Sequence, residues 1–343
     1  MKAMVLEKFK EPMVLREVPE PPIGPEDILL RVRACGLCGT DIKIYDGEVK
    51  TVKLPRIPGH ELAGEVAKLG AEVEGWTLGD HGVVHIYIPC GNCYQCRLGR
   101  ENDCTRQLER IGFEDDGGFG EYVRIPARNL CKISRDIPLE QASILSGSIA
   151  TPLHGIRTQA RLQMGETAVI VGIGGLGIHT LQLAVAMGAR VIAVDISEDK
   201  LEAARNFGAE ATINASNSDF ISEIRRLTDG EGADLIVEAV SGSQIPPVLE
   251  QSIQALRLCG RLVLLGYQYG QVFSLDPQKI VYDELEIIGA RASVRQDLAD
   301  VISLVERDKI RPVISEHFPL EQANEAFIKL RKSASLGRMI LTL

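Results

Sequence analysis

The sequence predicts an α/β protein: an irregular, mostly β N-terminal domain followed by a doubly wound parallel sheet. Three observations predict it. Short β-type segments punctuated by Gly and Pro fill the chain to about residue 150. Short apolar runs then alternate with segments of helical period, and a glycine-rich turn stands where that alternation begins. The 343 residues suffice for two domains, each with its own core.

In the first part, residues 28–34, 62–69 and 122–125 read as strands, and Pro19, Pro21, Pro22, Pro25, Pro55 and Pro58 mark turns and edges. In the second, 168–171, 191–194, 235–240 and 262–265 are apolar runs of strand length. Helical patterns such as 198–207 and 219–228 lie between them. That alternation implies parallel strands covered by helices on both faces. Two further helical patterns, 296–307 and 321–331, precede a last apolar strand, 339–343. The expected domains are therefore 1–149, with a cysteine lobe at 90–104, then 150–290, and a tail, 291–343, that returns to the first.

Composition removes several classes. With 38 Lys and Arg against 47 Asp and Glu, and no basic run, the chain lacks the clustered cations that nucleic-acid phosphates need. Residues 1–10 carry Lys2, Glu7, Lys8 and Lys10 and do not read as a secretory signal. Residues 167–189 hold no formal charge and are long enough to span a bilayer, but five glycines, His179 and Gln182 fit a strand, turn and helix better. No membrane association is expected, and a cytoplasmic location is.

The glycine turn, Gly172-Ile173-Gly174-Gly175-Leu176-Gly177, matches G-x-G-x-x-G between a strand and a helix. Its glycines permit a tight turn, approach to a pyrophosphate and close helix–strand packing, and the helix N-terminus offers free N–H groups. Asp195 ends the next strand 23 residues after Gly172. Its carboxylate suits a ribose diol and repels a 2′-phosphate, which favours NAD over NADP. The alternative is a ligand-free glycine turn with a helix-capping Asp.

Cys90, Cys93, Cys96 and Cys104 follow C-x2-C-x2-C-x7-C. Four thiolates at this spacing close a tetrahedral structural zinc site. An iron–sulfur cluster or unrelated thiols are the alternatives. Upstream, Cys38 and His60 are a thiol and an imidazole 22 residues apart. They are either zinc ligands that would polarise an alcohol oxygen or a buried thiol and a core histidine.

Cys38-Gly39-Thr40-Asp41, Gly59-His60-Glu61, the cysteine lobe, Gly117-Gly118-Phe119-Gly120-Glu121-Tyr122 and the 172–177 turn stand in the order seen in the zinc-dependent medium-chain alcohol dehydrogenase family. The chain resembles that family over essentially its whole length. The resemblance implies a co-chaperonin-like β-barrel domain, a Rossmann domain, and a homodimer or homotetramer acting on a small-molecule alcohol or carbonyl. By position, Cys38 and His60 resemble the catalytic zinc ligands, and Glu61 resembles a nearby carboxylate that can enter the coordination sphere. Thr40 resembles the hydroxyl that takes the substrate proton, and Asp41 the carboxylate that orients the histidine. Lys200 resembles the lysine at the adenosine ribose, and Thr151 the threonine beside the nicotinamide.

Two positions depart from the family. The third zinc ligand normally precedes Thr151 by four residues, and that position is Gly147, between Ser146 and Ser148. Glu61 is the best replacement, though its adjacency to His60 makes ligation strained. Lys43 stands where many relatives carry a proton-relaying histidine. His85, Ile86 and Phe113 are pocket candidates. Three readings follow: a zinc-dependent alcohol or polyol dehydrogenase, a relative with weakened or lost catalytic zinc acting on an activated substrate, and a non-enzymatic NAD-binding protein.

Overall fold

The computed structural model describes residues 1–106, 109–332 and 335–343. The chain opens with β1 (Lys2–Val5), β2 (Val14–Glu17), β3 (Asp27–Gly36), α1 (Gly39–Tyr45), β4 (Glu61–Leu69), β5 (His81–Val84) and β6 (Tyr87–Ile88). It continues through α2 (Tyr94–Arg97), β7 (Glu109–Arg110), β8 (Tyr122–Pro126), β9 (Leu130–Lys132), α3 (Leu139–Ser143) and α4 (Ala150–Leu153). Then come β10 (Thr167–Val171), α5 (Gly177–Ala186), β11 (Arg190–Asp195), α6 (Glu198–Asn206), β12 (Ala211–Asn214), α7 (Phe220–Leu227), β13 (Ala233–Glu238) and α8 (Ile245–Ala255). The last elements are β14 (Leu256–Leu264), α9 (Pro277–Tyr282), β15 (Glu286–Gly289), α10 (Arg295–Glu306), β16 (Ile314–Pro319), α11 (Ala323–Lys332) and β17 (Arg338–Thr342). They form two units: Met1–Ala150 with Ser293–Asp308 and Pro312–Leu343, and Thr151–Ala292 with Lys309–Arg311.

The first unit is built on a sheet of order β16-β17-β3-β4-β5-β9, with β8 also paired to β3. Strand β3 alternates few polar residues with a buried apolar row and is paired on both edges, so it is the spine of the unit. The C-terminal strand β17 lies antiparallel on β3, pairing Ile340 with Gly36. On its other side β3 pairs Gly36 with Glu61 of β4. One register thus gathers the start of β4, the end of β3 and the start of β17. Phe119, Met4, Ile28, Leu30 and Leu62 are among the core side chains that lock this sheet.

The second unit is a parallel sheet of order β12-β11-β10-β13-β14-β15. Its strands are apolar on both faces, as a sheet covered by helices on each side requires. The order reverses between β10 and β13, so the loops after those strands diverge and open a crevice at their carboxyl ends. Residues 167–189 are β10, the glycine turn and α5, and no helix among the described residues is long and apolar enough to cross a membrane. Strand β14 begins at Leu256 rather than at 262. Arg257, Cys259 and Arg261 interrupt the apolar pattern there, and the ladder shifts register where Cys259 takes φ 58°.

Gly64 of β4 shows how tightly the spine is paired. A Cβ on it would lie 2.0 Å from the Arg31 carbonyl oxygen of β3. Gly64→Ala should therefore force the two strands apart and cost about 1–3 kcal/mol or more. Denaturant unfolding measures this, and an unchanged midpoint would contradict so close an approach.

Candidate functional site

Helix α1 is preceded by Cys38, whose extended backbone makes it the cap residue. The carboxylate of Asp41, buried in the first turn, accepts the Cys38 backbone N–H at 2.8 Å. Its other oxygen accepts from His60 Nδ1 at 2.9 Å. One carboxylate thus fixes both the loop bearing the thiol and the tilt of the imidazole. With Nδ1 bonded to Asp41, Nε2 keeps the lone pair for ligation. His60 lies against Phe113, ring centroids 5.2 Å apart, and follows Gly59, whose φ of 97° turns the chain into β4.

Glu61, fully buried, is the first residue of β4. Arg338, at the start of β17, grips it with two bonds: Nη2 to Oε1 at 2.8 Å and Nε to Oε2 at 3.1 Å. Ser148 Oγ donates to Oε2 at 3.2 Å. Arg338 Nη2 also reaches Cys38 Sγ at 3.5 Å. Two glycines make room for this carboxylate. A Cβ on Gly147 would stand 2.1 Å from Glu61 Oε1, and one on Gly36 2.7 Å from Oε2. The space that a side chain at 147 would enter is filled by Glu61.

The sulfur of Cys38, a ring nitrogen of His60 and a carboxylate oxygen of Glu61 all lie within 4.8 Å of one another. A thiolate, an imidazole and a carboxylate are a donor set that zinc accepts. Burial resists ionisation of the Cys38 thiol, but the Arg338 charge and the His60 ring outweigh it and lower its pKa. Burial likewise opposes a charged His60, and Asp41 and Cys38 overcome it, pushing the imidazole well above its usual range. A bound cation would displace these protons.

The remaining sequence candidates fall in different places. Thr40 and Lys43 are half-buried, one turn apart on α1. His85 is buried and bonds the Ser293 carbonyl through Nε2 at 2.9 Å, with its pKa lowered by burial. Phe113 is buried between the His60 ring and the Arg110 guanidinium, which sits 4.2 Å from its centroid. Ile86 is half-buried. Of the serines beside Gly147, Ser148 serves Glu61, whereas Ser146 Oγ has no hydrogen-bond partner among the described residues.

The lobe cysteines form a second cluster. Sulfur separations are 3.4 Å for Cys93–Cys96, 3.8 Å for Cys93–Cys104 and 3.5 Å for Cys90–Cys104. All eight cysteines are unpaired. Four sulfurs about 2.3 Å from a tetrahedral zinc stand about 3.8 Å apart, so the cage fits that ion. Backbone N–H groups, that of Cys96 first, hold Cys93 down to about 5. Burial and the neighbouring sulfurs push Cys96 up to about 12. The cage resists carrying four negative charges without a cation at its centre.

In the second unit, Gly172 has φ 91°, and a Cβ there would meet Val240 Cγ1 at 2.8 Å. A Cβ on Gly177 would stand 1.8 Å from the Gly172 carbonyl oxygen, so α5 starts hard against the turn. Gly174, Gly175 and Leu176 are half-buried at the helix entrance. Asp195 ends β11 and braces the turn: Oδ2 accepts the Ile173 N–H at 2.7 Å, and Oδ1 accepts those of Ile196 at 2.8 Å and Ser197 at 3.0 Å. Lys200 Nζ is 3.9 Å from Asp195 Oδ2. Thr151 is half-buried in α4.

Sequence reasoning missed three residues. Arg338 lies 277 positions from Glu61, and its only local signal is a charge at the head of an apolar strand. Ser148 stands out in the sequence only as a neighbour of Gly147. Glu238, fully buried at the end of β13, accepts the Val240 N–H at 2.7 Å and the Gly266 N–H at 3.1 Å. It ties together the loops after β13 and β14, at the edge of the crevice.

Comparison with known proteins gives a consistent result. The model of the alcohol dehydrogenase GroES-like domain matches residues 24–135, and that of the zinc-binding dehydrogenase matches 175–307. The NAD-dependent alcohol dehydrogenase of Sulfurisphaera tokodaii is 33% identical over 351 residues, covering 99% of each chain. The acryloyl-coenzyme A reductase of the same organism is 29% identical over 345 residues, again covering 99% of each. A solved NAD-dependent alcohol dehydrogenase superposes with a TM-score of 0.92 at 29% identity, covering 100% of both chains.

Cys93→Ser should open the lobe. Zinc content should fall by one ion per chain and the melting temperature should drop, with kcat little changed in the protein that stays folded. Unaltered zinc content and melting temperature would contradict a structural cage.

Proposed function

The chain belongs to the zinc-dependent alcohol dehydrogenase family, and from that premise we propose that it oxidises a secondary alcohol or polyol to the carbonyl compound with NAD. It is an NAD-dependent oxidoreductase. The finer reading concerns how its residues do this. The observation that carries it is the convergence of Cys38, His60 and Glu61 donors in one buried site, with Asp41 bonded to two of the three residues.

In this reading Cys38, His60 and Glu61 hold a zinc ion, with Glu61 replacing the ligand that Gly147 lacks. A zinc ion held there supplies a Lewis acid that makes the alcohol proton more acidic, and NAD supplies the hydride acceptor. The balance is alcohol plus NAD⁺ to carbonyl, NADH and a proton. Thr40 takes the hydroxyl proton as it releases its own toward solvent, on a path past Lys43, one turn further along α1. Asp41 keeps His60 in the tautomer that ligates through Nε2. Asp195 and Lys200 take the adenosine ribose, Gly172, Gly174, Gly175, Leu176 and Gly177 take the pyrophosphate at the start of α5, and Thr151 stands beside the nicotinamide. The lobe zinc holds structure only. The reading includes a homodimer or homotetramer, and a cytoplasmic setting that suits eight cysteines without a disulfide.

A second reading is a relative that works without this metal on an activated substrate. Two observations favour it: the grip of Arg338 on Glu61, and the likeness to an acryloyl-coenzyme A reductase.

Two experiments test the proposal. Efficiency with NAD should exceed that with NADP by at least about tenfold, the equivalent of ~1.4 kcal/mol, and Asp195→Gly should narrow the gap; equal efficiency would sink the cofactor assignment. On a panel of secondary alcohols, mild chelation should remove one of two zincs together with activity, and added zinc should restore both. Glu61→Gln should weaken retention of that ion by about 10- to 100-fold. Full activity with one zinc per chain would favour the second reading.

A further inference from the structure

We propose that Arg338 is a built-in substitute for the metal at this site: its guanidinium and the ion are alternative partners for the Glu61 carboxylate and the Cys38 sulfur. The inference rests on the metal-site reading above and adds what sets the occupancy of that site.

A carboxylate offers about four acceptor positions. Three on Glu61 are taken, by Arg338 Nε, Arg338 Nη2 and Ser148 Oγ. To ligate an ion beside Cys38 and His60, Glu61 must give up part of this grip. The same Nη2 lies 3.5 Å from Cys38 Sγ, so one cation addresses two of the three donors. A buried dication placed beside that guanidinium would be repelled by it, and the low polarity of the surroundings strengthens the repulsion.

Both partners stand on strands fixed to β3: Arg338 lies two residues before Ile340, which pairs with Gly36, and Glu61 pairs with Gly36 directly. The exchange is therefore one of side-chain rotation, and Gly36 and Gly147 leave at the Glu61 carboxylate the room that a Cβ at either position would take. With Arg338 in place, the metal-free protein keeps its buried carboxylate compensated and stays folded. The ion therefore binds as an exchangeable occupant, unlike the one in the four-sulfur lobe.

The test is zinc affinity of the full-length protein, measured by competition with a chromogenic chelator, together with the melting temperature of the protein stripped of all but its lobe zinc. Wild type should bind a second zinc that Cys38→Ser and Glu61→Gln each weaken. Arg338→Gln should bind it at least tenfold more tightly, and the stripped variant should melt lower than stripped wild type. Arg338→Lys, which keeps the charge without the fork, should fall between them. If Arg338→Gln folds only when zinc is supplied, the exchange is supported directly. Unchanged or weaker zinc binding in Arg338→Gln would overturn it, leaving Arg338 as a simple positioner of Glu61. Failure of both arginine variants to fold even with zinc would overturn it too. If no second zinc binds wild type, or Cys38→Ser leaves its affinity unchanged, the metal-site reading itself fails, and that outcome is distinct from the others.

Discussion

A carboxylate and a guanidinium buried together must each find enough partners to offset the loss of water, and the fork of Arg338 on Glu61 meets that requirement with little to spare. Much of the first unit can be understood as the scaffold for this pair. Strand β3 carries β4 on one edge and β17 on the other, so residues far apart in sequence start their strands side by side. Glycine at 36 and 147 leaves the carboxylate its space, and Ser148 adds the third donor. Truncating one partner of such a pair typically costs about 3–5 kcal/mol, because the other charge is then stranded.

The two cysteine-bearing clusters solve one problem differently. In the lobe, Cys93, Cys96, Cys104 and Cys90 are linked by sulfur separations of 3.4 to 3.8 Å, and burial together with the neighbouring sulfurs drives Cys96 up to about 12. An ion at the centre would let all four ionise, which would tie the local fold to the metal. Around Cys38 the protein brings its own cation. There Arg338 grips Glu61 and reaches Cys38 Sγ, and Asp41 bonds the His60 ring.

How far this was legible in the sequence follows from the range of each interaction. The glycine turn, Asp195, and the strands and helices of the parallel sheet are local patterns, and apolar runs of strand length mark them directly. The lobe is also local, its four cysteines lying within 15 residues. The Gly147 departure was visible, but what fills its place was not, because that depends on β3, β4 and β17 meeting in one register. Arg338 and Glu238 were missed for the same reason: a buried charge is recognisable only once its distant partners are known. The early start of β14 was hidden by polar residues at 257, 259 and 261, which break the apolar pattern without breaking the strand.

The notch around Glu61 constrains the routes by which such a site could have arisen. A cysteine, glutamate or aspartate placed at 147 would set its Cβ 2.1 Å from Glu61 Oε1, so a family-type ligand cannot simply be added back to this chain. The carboxylate would first have to rotate away, and its fork with Arg338 would open as it did. The two positions are therefore coupled in this chain: the effect of a change at 147 depends on where residue 61 points.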